Sequence, residues 1–296
     1  MRPETRGQVA VSRAKNNADY VVLSVTFVVF FLMSSGYFII ATLLSEEMRG
    51  ASFLEGVFGV FSALIGGGIT FTAILLIGMF LIRMHRQTIL GNSLHVEYSD
   101  YAWLRDWANM VAADLAMPRV EMFVTQDPMM NAYAFGFARP YCIVLNSGSI
   151  RYLTQDELKV IVIHEMAHIK YGHTAAMVYL QPFMTMPFIA VFTSWLAGFW
   201  NRRSELTSDR LALMYTEKPE LVKSALIKIH VGPDVAKSMN QTARDWLQYN
   251  AERPMNRLAQ TFSSHPFLVR RLSHIDRHAA SFVPTAAPMP PVSAEL

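Results

Sequence analysis

The chain has 296 residues, 52% hydrophobic and 17% charged, with 26 Lys and Arg against 23 Asp and Glu. That length allows one or two domains, the apolar content excludes a disordered or fibrous chain, and a surplus of three charges is no nucleic-acid footprint. The single cysteine, Cys142, excludes an internal disulfide and a cysteine-built zinc site, which favours a reducing compartment.

Residues 20–45 and 56–82 form uncharged runs of 26 and 27 residues. At about 1.5 Å of rise per residue each exceeds a hydrocarbon core of about 30 Å, so together they predict a transmembrane hairpin. The first run is too long for the apolar core of a signal peptide, and no small-residue cleavage site follows it. Arg2, Arg6, Arg13 and Lys15 precede the first run, and Arg83 and Arg86 follow the second. Between the runs Glu46, Glu47 and Glu55 face only Arg49. The positive-inside bias therefore expects both termini and the catalytic part in the cytoplasm. Gly66, Gly67 and Gly68 would let another helix approach the second run closely.

From about residue 90 the composition becomes that of a globular domain. Residues 101–116 place apolar side chains at helical spacing and end before Pro118. Residues 120–125 and 141–146 read as short strands on either side of NAYAFG, residues 131–136. Thr154 and Glu157 fit a capping box that opens a helix reading DELKVIVIHEMAHIKYG.

That helix carries H-E-x-x-H at residues 164–168. His164 and His168, four apart, project from one face and can bind one Zn²⁺, while Glu165 beside them can handle the proton of an activated water. His173, five residues beyond His168, lies roughly 140° off that face on 3.6-residue geometry and reads as a helix C-terminal residue. A zinc peptidase needs a third ligand, and NRRSELTSDRLALMY from residue 201 offers one. There Glu205 and Asp209 are four apart, a ligand carboxylate and a second one able to orient a histidine. Arg202, Arg203 and Arg210 leave an ordinary charged helix face as an equal alternative on spacing alone.

Four blocks in order, NAYAFG (131–136), LTQDELKVIVIHEMAHIKYGH (153–173), RRSELTSDRLA (202–212) and SSHPFLVRRL (263–272), resemble the HtpX-type membrane zinc metallopeptidases, the family that also contains the CAAX prenyl proteases. With the hairpin, the resemblance covers nearly all of residues 20–275. It implies that His164, His168 and Glu205 bind one zinc ion per chain and that Glu165 is general base and acid. It further implies a supporting role for Asp209 beside the ligands and a role for His265 in steadying the oxyanion. Asn131 and Ala132 match an edge-strand motif along which a substrate peptide adds as an extended strand. Ser208 and Leu206 depart from the family's usual alanine and aromatic residue beside the ligand positions.

Residues 174–201 are a third uncharged run, 28 long, where better known members often have enough for two spans. One straight crossing would put Glu205 across the membrane from His164, so a bent or re-entrant segment, divided by Pro182 and Pro187, is expected. Residues 241–262 read as irregular, and the last 16 residues, with four prolines, as a flexible tail.

The expectation is a mainly α membrane protein with an α+β zincin-like catalytic domain and a small edge sheet beside the zinc helix. Its parts are a basic flank (1–19), a two-span hairpin (20–86), a peptidase domain (87–282) and a Pro-rich tail (283–296). Its partners are the lipid bilayer and a polypeptide substrate, with no nucleic acid, and its location is a bacterial inner membrane. Glu157, Lys159, Lys170 and His173 make the motif helix too polar for the bilayer centre, which places cleavage at the cytoplasmic membrane surface. An inactive metal-binding adaptor is the competing class, and the intact Glu165 counts against it. A prenylated CAAX substrate ranks second, because the chain lacks the larger multi-span chamber of that branch.

Overall fold

A computed structural model describes residues 4–45, 50, 52–184 and 190–280. Pro187 and the expected tail lie outside these residues. Helix α1 (Arg6–Ala14) is closed by a reciprocal capping box between Thr5 and Gln8. Helix α2 (Asn17–Leu43) follows its Asn16 cap, and α3 (Phe53–Asn92) starts at a Ser52–Glu55 capping box. Among the described residues α2 and α3 are long and apolar enough to cross a membrane, with mean hydropathies of 2.1 and 2.2 in their most apolar stretches. Leu32, Phe58, Phe61 and Ile65 stand exposed on them, as lipid-facing residues do and soluble core residues do not. Of the three glycines, Gly67 makes the close approach: a Cβ there would lie 2.6 Å from the Ser35 Cα, whereas Gly68 has nothing within 4 Å.

At 40 residues α3 is about 60 Å long, twice a hydrocarbon core. Its far end becomes part of the globular region, where Arg86 pairs with Glu121 at 2.6 Å and Ile89 packs with Phe123, Cys142 and Val144. The sheet there has strands β1 (Leu94–His95), β2 (Val120–Thr125), β3 (Ala132–Phe135) and β4 (Tyr141–Asn146), ordered β1-β2-β4-β3. Strands β2 and β4 run parallel from Val120↔Tyr141 to Thr125↔Asn146. Strand β3 lies antiparallel to β4 at the sheet edge, starting at Ala132↔Leu145. Helix α4 (Ala102–Asp114) packs on β2, and Leu104, Val111, Met122, Ile143 and Ile163 share one buried core. After α5 (Ser147–Tyr152), the Thr154–Glu157 capping box opens α6 (Gln155–Lys170) as expected.

The apolar run 174–201 is divided between two helices, α7 (His173–Met184) and α8 (Ala190–Thr216). They pack on each other and on the long apolar pair, where Phe30, Ile74, Ala176, Leu180, Ala197 and Trp200 form a second core. The chain thus goes out along α7 and returns along α8, which brings Glu205 back to the side of His164. Helices α9 (Pro219–Val231), α10 (Pro233–Ala236), α11 (Gln241–Glu252), α12 (Pro254–Thr261) and α13 (Leu268–Ala279) complete the fold. The reading of 241–262 as irregular is corrected: Asn240 caps α11, and Pro254 occupies the first turn of α12, where its missing N–H costs nothing.

The basic N-terminal flank is tied into the globular part. Thr5 Oγ1 donates to the Asp114 carbonyl at 2.7 Å, Tyr171 Oη to that of Val11 at 3.0 Å, and Arg210 Nε to that of Ala14 at 2.7 Å. Asp19, buried at the start of α2, accepts from Arg203 Nε at 2.8 Å and Thr207 Oγ1 at 2.6 Å on α8.

Candidate metal centre

Helix α6 is buried along almost its whole length, so the histidines of its motif are fixed by the core around them. The packing of α8 on α6 carries Glu205 to the same point. His164 Nε2 lies 3.2 Å from His168 Nε2, and the Glu205 oxygens lie 3.4 Å from the first and 3.5 Å from the second. A tetrahedral ion with bonds of about 2.0–2.1 Å needs ligand atoms about 3.3–3.4 Å apart, so the donor triangle has the size of one tetrahedral face. Two imidazoles and a carboxylate are also a suitable donor set for a borderline-soft divalent cation. Among the described residues His164, His168 and Glu205 are the cluster able to hold a metal.

Behind the ligands the charges are saturated. Asp209 Oδ1 lies 2.9 Å from His164 Nδ1, which leaves Nε2 to face the ion position. Arg271 of α13 binds Asp209 with two contacts of 2.7 and 2.6 Å and also lies 3.3 Å from Glu205. Burial pushes the Asp209 carboxyl up, but the Arg271 guanidinium outweighs it and holds the group at about 2. Glu205 is lowered in the same way, well below the usual carboxylate range, by Arg271 acting against burial. For His164, burial lowers the pKa, and its contacts with Asp209 and Glu205 reverse that to about 10.

In front of the ligands lies a cavity of about 720 Å³, lined by Glu165, Asn131, the β3 residues 132–135 and α7 residues that include Met177. Burial raises the Glu165 carboxyl to about 7, against the nearby His164 and Arg271 charges and the Ala134 backbone, which lower it. A carboxyl near neutrality is suited to taking up and giving back a proton. His265 and Asn131 are the expected site residues exposed to solvent, and His265 Nδ1 lies 3.5 Å from Glu205. Ala132 begins the edge strand, and Asn131 precedes it with its carbonyl accepting from Asn146 N at 3.0 Å and Ser149 Oγ at 2.8 Å. All eight expected site residues thus converge on one cavity and the charges behind it.

His173 is corrected. Gly172, at φ +76, ends α6, so His173 opens α7 and is not the end of the motif helix. Its ring turns back to put Nδ1 3.3 Å from His168 Nδ1, outside the ligand cluster but in contact with a ligand. Sequence reasoning also missed Arg271. Its only trace was two adjacent arginines in SSHPFLVRRL, and the need of two buried carboxylates for a cation does not select among five nearby arginines.

Residues 99–199 and 184–279 match Peptidase family M48. The chain is 30% identical over 215 residues to the plastoglobule-localized metallopeptidase 48, chloroplastic, of Arabidopsis thaliana, covering 65% of this chain and 61% of that protein. It is 27% identical over 205 residues to a protease HtpX homolog of Moorella thermoacetica, covering 56% of this chain and 67% of that protein. A crystal structure of Ste24p from S. mikatae aligns with a TM-score of 0.48 at 15% identity, over 88% of this chain and 67% of that one. The chain therefore spans about three fifths of the length of the Arabidopsis relative.

Proposed function

Given that the chain belongs to peptidase family M48, we propose that it is a membrane-anchored zinc endopeptidase cleaving extended segments of membrane or misfolded proteins. The observation that carries this reading is the triangle of His164, His168 and Glu205 with the Glu165 carboxylate beside it at the cavity wall. In this reading residues 20–86 are the anchor and 87–282 the peptidase domain. The charge asymmetry of the flanks supports a cytoplasmic active site at a bacterial inner membrane.

The zinc ion, when bound, supplies Lewis acidity that lowers the pKa of a water and polarises the scissile carbonyl. The protein does the rest. Substrate adds along β3, whose outer edge borders the cavity, and main-chain hydrogen bonds hold the scissile bond over the ligands. Glu165 takes a proton from the attacking water and returns it to the leaving nitrogen as the C–N bond breaks. His265, at the rim 3.5 Å from Glu205, donates to the oxyanion. Asp209 and Arg271 keep His164 in one tautomer and Glu205 ionised throughout.

Zinc content and cleavage of an unfolded protein by detergent-purified wild type, Glu165→Gln and Glu205→Ala test the reading together. Glu165→Gln is expected to keep one zinc per chain and lose about 10²–10⁴-fold in turnover. Glu205→Ala is expected to lose both. Full cleavage by a zinc-loaded Glu165→Gln protein would remove Glu165 from the mechanism, and stoichiometric zinc without wild-type cleavage would favour an adaptor.

A further inference from the structure

Helix α12 is inside out for a water-soluble surface. Met255 and Leu258, together with Phe262 just after the helix, fall at i, i+3 and i+7 and so share one face. They are 73%, 53% and 61% exposed, whereas Gln260 on the side packed against the protein is 2% exposed. Arg253 and Arg257 stand on the face turned away from the apolar one, and Trp246 and Tyr249 on the preceding α11 are exposed as well. Exposed aromatic and aliphatic residues backed by arginines are the make-up of helices that lie in a lipid–water interface.

The fold places this element where the apolar helices meet the globular part. Asn201 Nδ2 donates to the Ser264 carbonyl at 2.8 Å, and Arg202 Nη1 donates to that of Ser263, directly after Phe262. Gly198 sits against the same Ser263 carbonyl, 3.3 Å from where its Cβ would be. Those residues lie at the end of the apolar half of α8, whose Val191, Phe192, Trp195 and Phe199 are exposed and whose Trp200 packs with Phe30 and Ile74. One residue further, Arg203 pairs with Asp19 at the first turn of α2. Asp19, Arg203 and Ser263 thus mark one boundary between apolar and polar surface, and Phe262 stands on it.

From this continuity we infer that α12 and Phe262 form a third membrane contact, lying in the lipid headgroup layer with Met255, Leu258 and Phe262 directed into the acyl boundary. The loop bearing His265 is three residues away, so the contact fixes the rim of the cleft against the bilayer surface. The inference rests on the reading of α2 and α3 as membrane spans.

Spin labels on the full chain in phospholipid nanodiscs test it, with Cys142, buried in β4, replaced by alanine. Labels at Leu258→Cys and Phe262→Cys are compared with one at Phe61→Cys, exposed on α3, and one at Arg257→Cys on the opposite face of α12. The expected result is that the 258 and 262 labels collide with dissolved oxygen more than with a water-soluble nickel chelate, as the 61 label does, while the 257 label shows the reverse. Labels at 258 and 262 that behave like 257 while 61 stays in lipid would overturn the contact and leave the spans standing. Water access at all four would overturn both. Immobile labels at 258 and 262 shielded from both reagents would assign the face to a polypeptide or a second copy and overturn the lipid assignment.

Discussion

The two halves of α8 live in different surroundings within one continuous helix. Over residues 190–200 it is apolar and packs on α2, α3 and α7, with Trp200 as the largest buried side chain. Over residues 201–216 it sets Glu205 and Asp209 against Arg271, while Leu211, Ala212 and Leu213 join the main apolar core. The first half is held by close packing of apolar side chains. The second half is held by neutralisation, since two carboxylates out of water are tolerated only beside a cation. Trp200 joins the two, because its ring meets that of His173 at 5.6 Å and His173 in turn touches His168.

The sharpest way to break the charged half is Arg271→Met, which roughly preserves volume and takes the guanidinium away from Asp209 and Glu205. It should cost about 3–5 kcal/mol, read by denaturant unfolding of the globular part, and Asp209→Asn in the same chain should recover a portion. Next comes the packed half: Gly67→Val drives a side chain into the Ser35 backbone and should destabilise the α2–α3 contact by about 1–3 kcal/mol, seen as earlier thermal unfolding in micelles.

A pH titration then separates the halves. The Asp209 carboxyl is held at about 2 in the folded chain against an ordinary 3.8. The stability it contributes is therefore complete above the ordinary value and is lost as pH falls through that range toward 2. Acid unfolding of the wild type should show this limb, and the Arg271→Met chain should lack it, whereas Gly67→Val should shift the whole curve without altering its slope. The smallest effect is expected from Arg6→Ala. Its bridge to Glu217 at 3.3 Å joins two groups that are 60% and 53% exposed, so stability should move by less than about 0.5 kcal/mol.

What could be read in the sequence follows the same division. The apolar runs, the strands at 120–125 and 141–146 and the capping box at Thr154 are local patterns, and the structure reproduces them almost residue for residue. His164 and His168 were legible because helix geometry alone fixes their common face, and Glu165 because it is adjacent to the first of them. Glu205 could not be separated from an ordinary charged face by spacing, since its partners lie on other helices. Arg271 was hidden for the same reason, lying 62 positions from Asp209. The reversal between α7 and α8 was forced by the need to return Glu205 to one side, but its division into two packed helices depended on Phe30 and Ile74, far away in the chain. Residues 241–262 misled because Pro254, a breaker in a helix interior, is a starter in a first turn.

The hydrogen bonds that seat α1 join residues 109, 160 and 196 positions apart. During synthesis α1 must therefore wait until the segments around Asp114, Tyr171 and Arg210 have been made. Order of translation and order of assembly run in opposite directions at this seam. Helix α1 precedes all three partners in the chain, and its docking backs the very helix that delivers Glu205 to the histidines.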